Sequence, residues 1–359
     1  DHRDLHSFPT RRSSDLIADR LNRKWLIVGS LFVWSTVTYL MGYADSFQEL
    51  YWLRALMGIS EALYIPSALS LIADWHQGKS RSLAIGIHMT GLYVGQAVGG
   101  FGATIAATFS WHSTFHWFGI IGIAYSLILM FALRENPAHN IKKTNIPINN
   151  TEKKISLFSG LSVLFSTWAF WIILFYFAAP SLPGWATKNW LPTLFSETLN
   201  IPMSEAGPIS TITIAVSSFI GVIVGGILSD RWVQKNIRGR VYTGAIGLGM
   251  TIPALMLLGF GESFMAVVGA GLLFGIGFGI FDANNMPILC QFISAKYRGT
   301  AYGIMNMTGV FAGAAVTEQL GKWTDGGNLG IGFALLSIVV LAALLLQVYF
   351  LRPKTDNME

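Results

Sequence analysis

Ten stretches of almost unbroken apolar sequence run through this chain of 359 residues, at about 25–43, 48–73, 81–107, 114–133, 163–183, 206–229, 241–260, 264–290, 300–320 and 329–351. Each is long enough to cross a hydrocarbon core, which takes about 20 helical residues. In hydrocarbon every backbone N–H and C=O must be satisfied inside the protein, so spans of this kind fold as helices. Composition agrees: 52% of residues are apolar and 12% charged, with a mean hydropathy of +0.51. A soluble domain carries roughly 25% charged residues, and disorder needs low hydrophobicity. One cysteine, Cys290, excludes a disulfide scaffold and a Cys-based zinc site. The fold class is therefore an all-α membrane protein with about ten transmembrane helices.

The loops set orientation. Residues 20–24, 74–82, 134–154, 230–240, 296–298 and the tail from 352 hold 18 Lys and Arg, whereas the alternate loops hold two, Lys188 and Lys322. The basic side is cytoplasmic, which places both ends there. Eight of the twelve tryptophans (25, 52, 75, 111, 185, 190, 232 and 323) fall near span ends, where amphipathic rings anchor at the interface. Residues 1–16, DHRDLHSFPTRRSSDL, are polar and lack the apolar core of a signal peptide; they resemble translated adapter sequence and are set aside as a foreign head. The lysine-rich segment after residue 133 divides the remainder into a first bundle at 17–133, a linker at 134–160 and a six-helix bundle at 161–359.

Asp19-Arg20 with Arg23-Lys24 precedes one span, and Asp230-Arg231 with Arg238-Gly239-Arg240 occupies the matching place in the second half. Repeated halves joined by a cytoplasmic loop are a signature of secondary transporters. This pair of loops resembles the loop motif of the major facilitator superfamily, found there between the second and third helix of each six-helix half. The resemblance implies a two-bundle fold in which the first span here is the family's third helix and the two before it are missing. It also implies a cytoplasmic gate made by Asp19, Arg20, Arg23, Asp230 and Arg231. The alternative for the arginines is that they only enforce topology.

Arg54 and Glu61 lie inside a span, seven residues or two turns apart, with Gly58 on the same stripe. They are about 10 Å apart along the axis, and ionisable residues within a span mark ion or substrate pathways, with a structural ion pair as the alternative. The stretch R-x3-G-x2-E-x4-P (Arg54 to Pro66) with Trp75 resembles the fourth helix of the anion:cation symporter branch of that superfamily, which includes sialin-like, hexuronate and galactonate transporters. By that resemblance Arg54 holds a substrate carboxylate and Glu61 is the proton carrier, with Tyr64 beside them. The next span carries Gly91, Gly95, Gly99 and Gly100, a small-residue stripe that resembles the family's fifth-helix glycine motif. Gln96 stands where drug antiporters place proline. His88 and Gln96 are substrate-binding candidates, with buried packing as the alternative for His88. In the second half Asp282-Ala-Asn284-Asn285-Met-Pro287 interrupts a span; Asn284, Asn285 and, one span on, Asn306 are further candidates, and Asp282 reads as a structural partner. Pro180, Pro183 and Pro192 are expected to break their span and bring Lys188 and Asn189 to an outer mouth.

Gly275, Gly277 and Gly279 have no nucleotide-loop spacing and read as packing glycines. No metal-ligand spacing or catalytic elbow occurs, so no enzyme activity, metal or cofactor is expected, the coupling ion being a proton. Asn149-Asn150-Thr151 matches a glycosylation pattern but falls in a cytoplasmic loop. The expected partners are a small organic anion, in the first instance a sugar acid such as a hexuronate or aldonate, and the lipid bilayer. Nucleic acid is excluded, because the basic residues are confined to loops. A monomer in a bacterial inner membrane, working as a proton-coupled importer by alternating access, completes the expectation; an exporter, a uniporter or a transporter-like sensor are the alternatives.

Overall fold

A computed structural model describes residues 23–76, 79–134, 164–293 and 298–353. Asp19, Arg20 and residues 135–160 of the linker lie outside them. The described residues form α1 (Arg23–Met41), α2 (Phe47–Glu61), α3 (Tyr64–Trp75), α4 (Lys79–Gly99), α5 (Gly102–Thr108), α6 (Trp111–Ala132), α7 (Trp168–Leu199), α8 (Met203–Val233), α9 (Gly239–Phe260), α10 (Phe264–Asp282), α11 (Asn285–Phe292), α12 (Arg298–Asp325) and α13 (Leu329–Phe350). Among these residues there is no strand.

All ten apolar stretches are helical. Seven are long and apolar enough to cross a membrane: α1, α6, α7, α8, α9, α13 and the segment Phe264–Phe292. The other three are altered by polar chemistry. The stretch at 48–73 is cut into α2 and α3, and α4 and α12 carry polar residues such as Gln96 and Asn306 along their length. Large apolar side chains point outward, among them Met265 (81% exposed), Phe131 (79%) and Trp168 (72%). An apolar surface of this extent is the mark of a protein whose solvent is lipid.

The chain forms two compact units. One is drawn from residues 11–92 and 102–154, the other from 93–101 and 155–359. In the first, α1 packs on α6 and is flanked by α2 and α3; Gly119 sits so close to Tyr39 that a Cβ there would meet the Tyr39 backbone at 2.6 Å. In the second, α10 is central and packs on α8 and α9, while α7 packs on α12 and α13. Gly277 lies where α10 comes close to α9, its position for a Cβ lying 2.7 Å from the Gly247 carbonyl oxygen. Gly275 and Gly279 face Ser217 and Ser218 of α8 in the same manner. All three are packing glycines, as their sequence context implies. The buried core of this unit includes Phe170, Ile173, Tyr176, Phe195, Phe274, Phe281 and Phe333.

One expectation is corrected. Pro180, Pro183 and Pro192 do not break their span: α7 is a single helix of 32 residues that contains all three. Each proline removes one backbone hydrogen bond, but in a bundle the helical path still leaves the fewest polar groups unpaired. Among the described residues the stripe Gly91, Gly95 and Gly99 has nothing within 4 Å of any would-be Cβ, and Gly100 alone of the group meets a neighbour, at Thr211.

Candidate functional site

The charged residues of the first unit stand at the end of α2. Ser46 caps its start, its hydroxyl accepting from the Glu49 N–H at 3.2 Å. The helix then runs through Arg54 and Gly58 and stops at Glu61. Ala62 N–H still donates to the Gly58 carbonyl at 3.1 Å and Leu63 N–H to that of Ser60 at 3.3 Å, after which α3 begins at Tyr64. The stop follows from Pro66, which lacks the N–H that would reach the Ala62 carbonyl. The Ser30 hydroxyl of α1 donates to the Ser60 carbonyl, and Ser67 to that of Leu63 at 2.8 Å, which satisfies backbone groups at the break.

Arg54 and Glu61 are both exposed, and among the described residues neither has a hydrogen bond or ion pair. Gly58 between them faces open space. Tyr64 is half-buried, its ring 5.7 Å from that of Trp34 and 6.1 Å from that of His88. Among the described residues His88 Nε2 is enclosed without a hydrogen-bond partner. Gln96 is half-buried on the stretch of α4 that belongs to the second unit.

In the second unit α10 stops in the same manner. Its last residue is Asp282; Ala283 N–H donates to Gly279 at 3.1 Å and Asn284 N–H to Phe281 at 3.0 Å, and α11 restarts at Asn285 with Pro287 as its third residue. The two caps share backbone angles, φ −59° and ψ −24° at Ala62 against φ −59° and ψ −23° at Ala283. The sequences around them also match: Gly58-Ile-Ser-Glu61-Ala-Leu-Tyr-Ile-Pro66 and Gly279-Ile-Phe-Asp282-Ala-Asn-Asn-Met-Pro287. Both follow G-I-x-acid-A-x-x-apolar-P.

A cavity of about 200 Å³ opens among α7, α10 and α12. Its polar wall is Ser181 and Lys188 of α7, Asp282 of α10 and Asn306 of α12. Its aromatic wall is Phe177, Trp185, Phe278 and Phe281. The Lys188 ammonium stands 5.1 Å from the centre of the Trp185 ring, a cation–π arrangement. Asp282 Oδ1 accepts from the Asn285 side-chain amide at 3.0 Å. Asn306 therefore lines a cavity. Asn284 and Asn285 lie outside this lining and are buried, Asn284 donating to the Ile280 carbonyl at 2.8 Å and Asn285 holding Asp282. Lys188 and Asp282 carry the charge in this cavity, a role that the sequence reading did not give them. The signal that locates Asp282 is the repeat of the Glu61 segment.

The Asp-Arg loop of the second unit is built around Gly239, where a Cβ would come within 2.6 Å of the Trp232 carbonyl carbon. Asp230 pairs with Arg240 at 3.6 Å, and Arg231 is exposed. Arg238 donates to the Val348 carbonyl and covers the Tyr242 ring at 4.8 Å, while Gln347 donates to the Val241 carbonyl at 2.6 Å. The turn is thus tied to α13. Arg23, the remaining described residue of the proposed gate, begins α1 and is buried.

Comparison with known proteins places this geometry. The chain is 25% identical over 340 residues to "Probable anion transporter 3, chloroplastic" of Oryza sativa subsp. japonica, covering 89% of this chain and 65% of that protein. It is 23% identical over 344 residues to "Probable sulfoacetate transporter SauU" of Cupriavidus necator, covering 90% of this chain and 80% of that protein. This chain spans about two-thirds of the length of the plant protein. A solved bacterial homologue of the human lysosomal transporter Spinster, in an inward-facing and occupied conformation, superposes with a TM-score of 0.72 at 18% identity, over 96% of this chain and 85% of that one. The family model of the Major Facilitator Superfamily matches residues 15–317. The chain belongs to the Major Facilitator Superfamily.

Proposed function

We propose that the chain serves proton-coupled import of a small organic anion by alternating access. A sugar acid such as a hexuronate or aldonate is the leading substrate, and the name of the Cupriavidus relative supports adding sulfonated acids such as sulfoacetate. The observation that carries the reading is the state of Arg54 and Glu61: two charges on one face of a helix in an apolar chain, neither neutralised by a neighbour among the described residues. A structural ion pair would be closed. An arginine stays charged at all working pH values and presents a planar fork that matches a carboxylate, which makes Arg54 the substrate clamp. A glutamate in a water-limited pathway is the group able to take up and release a proton, which makes Glu61 the carrier. Tyr64, His88, Gln96 and Asn306 supply polar contacts. The Asp230–Arg240 pair is the fastening of the gate in the second unit, the basic loops facing the cytoplasm of a bacterial inner membrane.

The test is uptake into proteoliposomes holding the purified protein. Glucuronate, galactonate and sulfoacetate are compared with glucose while external pH is recorded. Acid-dependent alkalinisation that is lost in Glu61→Gln supports the reading. Accumulation of the acid against its gradient by Glu61→Gln overturns Glu61 as carrier, and uptake of glucose equal to that of the acids overturns the anion assignment.

A further inference from the structure

The second unit holds its own acid and its own cation at one cavity, and the first of these occupies the place of Glu61 in an internal repeat. We propose that Lys188 and Asp282 form an anion-binding pair in the second unit, in which Lys188 holds the acidic group of the substrate and Asp282 admits it by taking up a proton. The inference rests on the reading of the chain as an anion transporter, and assigns that substrate a site which the Arg54–Glu61 argument does not supply.

Four observations converge on it. Asp282 ends α10 at the same cap, with the same backbone angles and the same flanking sequence, as Glu61 ends α2. A helix stop of this kind sets a side chain beside backbone that no longer continues the ladder, the arrangement by which interrupted membrane helices build ion and substrate sites. Lys188 and Asp282 both open onto the 200 Å³ cavity, from α7 and from α10. Among the described residues no carboxylate lies within ion-pairing distance of the ammonium; its close companion is the Trp185 ring. Asn306 and Ser181 line the same space and are neutral groups suited to hydroxyls or to the remaining oxygens of an anion.

The coupling follows from charge. When Asp282 is ionised, its negative charge stands in the cavity and partly balances Lys188. When Asp282 carries a proton, the ammonium is uncompensated and an anion takes that role. One proton then enters with one anion, from water to Asp282 Oδ, and leaves with it. Binding and protonation are linked, and the linkage is reciprocal. The titratable groups that face Asp282 are Lys188 and Tyr176 of α7 and Tyr93 of α4. A tyrosine ordinarily loses its proton near pH 10, which leaves Asp282 as the acid to which this proposal assigns the proton. Asn285 holds Asp282 Oδ1 from α11.

The experiment is a binding titration of the detergent-purified protein, read by tryptophan fluorescence because Trp185 lines the cavity. The probes are glucuronate and sulfoacetate, whose charge is constant from about pH 5 to about pH 8.5, well above ordinary carboxyl pKa values. The expected result is an apparent Kd for the wild type that weakens several-fold as pH rises. Lys188→Gln weakens binding tenfold or more at every pH, and Lys188→Arg, which keeps the charge, restores most of it. Asp282→Asn binds as tightly as the wild type at low pH and shows no pH dependence. Wild-type affinity in Lys188→Gln, or an unchanged pH profile in Asp282→Asn, overturns the pair while leaving the transport reading intact wherever Arg54 and Glu61 variants still abolish uptake. A wild-type protein that neither binds nor takes up either probe overturns both readings together.

Discussion

The Asn285 side-chain amide donates to Asp282 Oδ1 at 3.0 Å across the turn that separates α10 from α11. Asn285 is 4% exposed, whereas Asp282 is exposed. Asn285→Ala is expected to cost about 0.5–1.5 kcal/mol, the net contribution of a typical hydrogen bond. The measurement is the shift in thermal midpoint of the detergent-purified protein; an unchanged midpoint means that the bond is not formed in solution.

Two glycines of the second unit call for opposite outcomes. Gly277→Ala drives a Cβ to 2.7 Å from the Gly247 carbonyl and is expected to cost about 1–3 kcal/mol as an overpacked contact. Gly95 has nothing within 4 Å, so Gly95→Ala is expected to be neutral or to gain up to about 1 kcal/mol through helix propensity. Thermal melts of the two variants side by side check the contrast, which fails if both melt below the wild type.

The Asp230–Arg240 pair separates a gate from a brace. The pair is 3.6 Å apart, with the Asp230 side chain 74% exposed, and an exposed pair contributes about 0–1 kcal/mol. Asp230→Asn is therefore expected to leave the thermal midpoint nearly unchanged while altering the initial rate of uptake. Gly239→Ala, which places a Cβ against the Trp232 backbone, is expected to lower the midpoint instead. Equal uptake rates in wild type and Asp230→Asn refute the gate.

Arg54→Lys keeps the charge and loses the planar fork. Its expected effect on uptake is a KM raised by about tenfold, equivalent to about 1.4 kcal/mol, with little change in kcat. A KM equal to that of the wild type removes Arg54 from the substrate clamp.

Much of this was legible in the residues themselves. The ten helical stretches follow from apolar length alone, since hydrocarbon leaves a chain few other ways to satisfy its backbone. Gly275, Gly277 and Gly279 read as packing glycines because they carry no nucleotide-loop spacing, and they pack. The prolines of α7 misled, because proline propensity is measured in water, where a broken helix can bond to solvent. The polarity of Asn284 and Asn285 marks the interruption of their span but does not tell which face of a turn a side chain takes; one bonds its own helix and the other holds Asp282. Lys188 and Asp282 are 94 residues apart, and only the packing of α7 near α10 brings them to one cavity. The repeat that pairs Glu61 with Asp282 was present in the sequence, but the matching helix stops give it its meaning.

The unbroken length of α7 has a consequence at the membrane surface. Its 32 residues extend about 48 Å at 1.5 Å per residue, against a hydrocarbon core of about 30 Å. Even at a tilt of about 40°, the steep end of the observed range, the helix spans more than that core. The 31-residue α8, which follows after Asn200-Ile201-Pro202, is overlong to the same degree. At their junction Asn200 turns through the left-handed region (φ 51°) and the Ser196 hydroxyl donates to the Ile201 carbonyl at 2.7 Å. A hairpin tip so fixed and so placed is a rigid epitope for an antibody fragment, and a binder raised against it grips the bundle that holds Lys188 and Asp282.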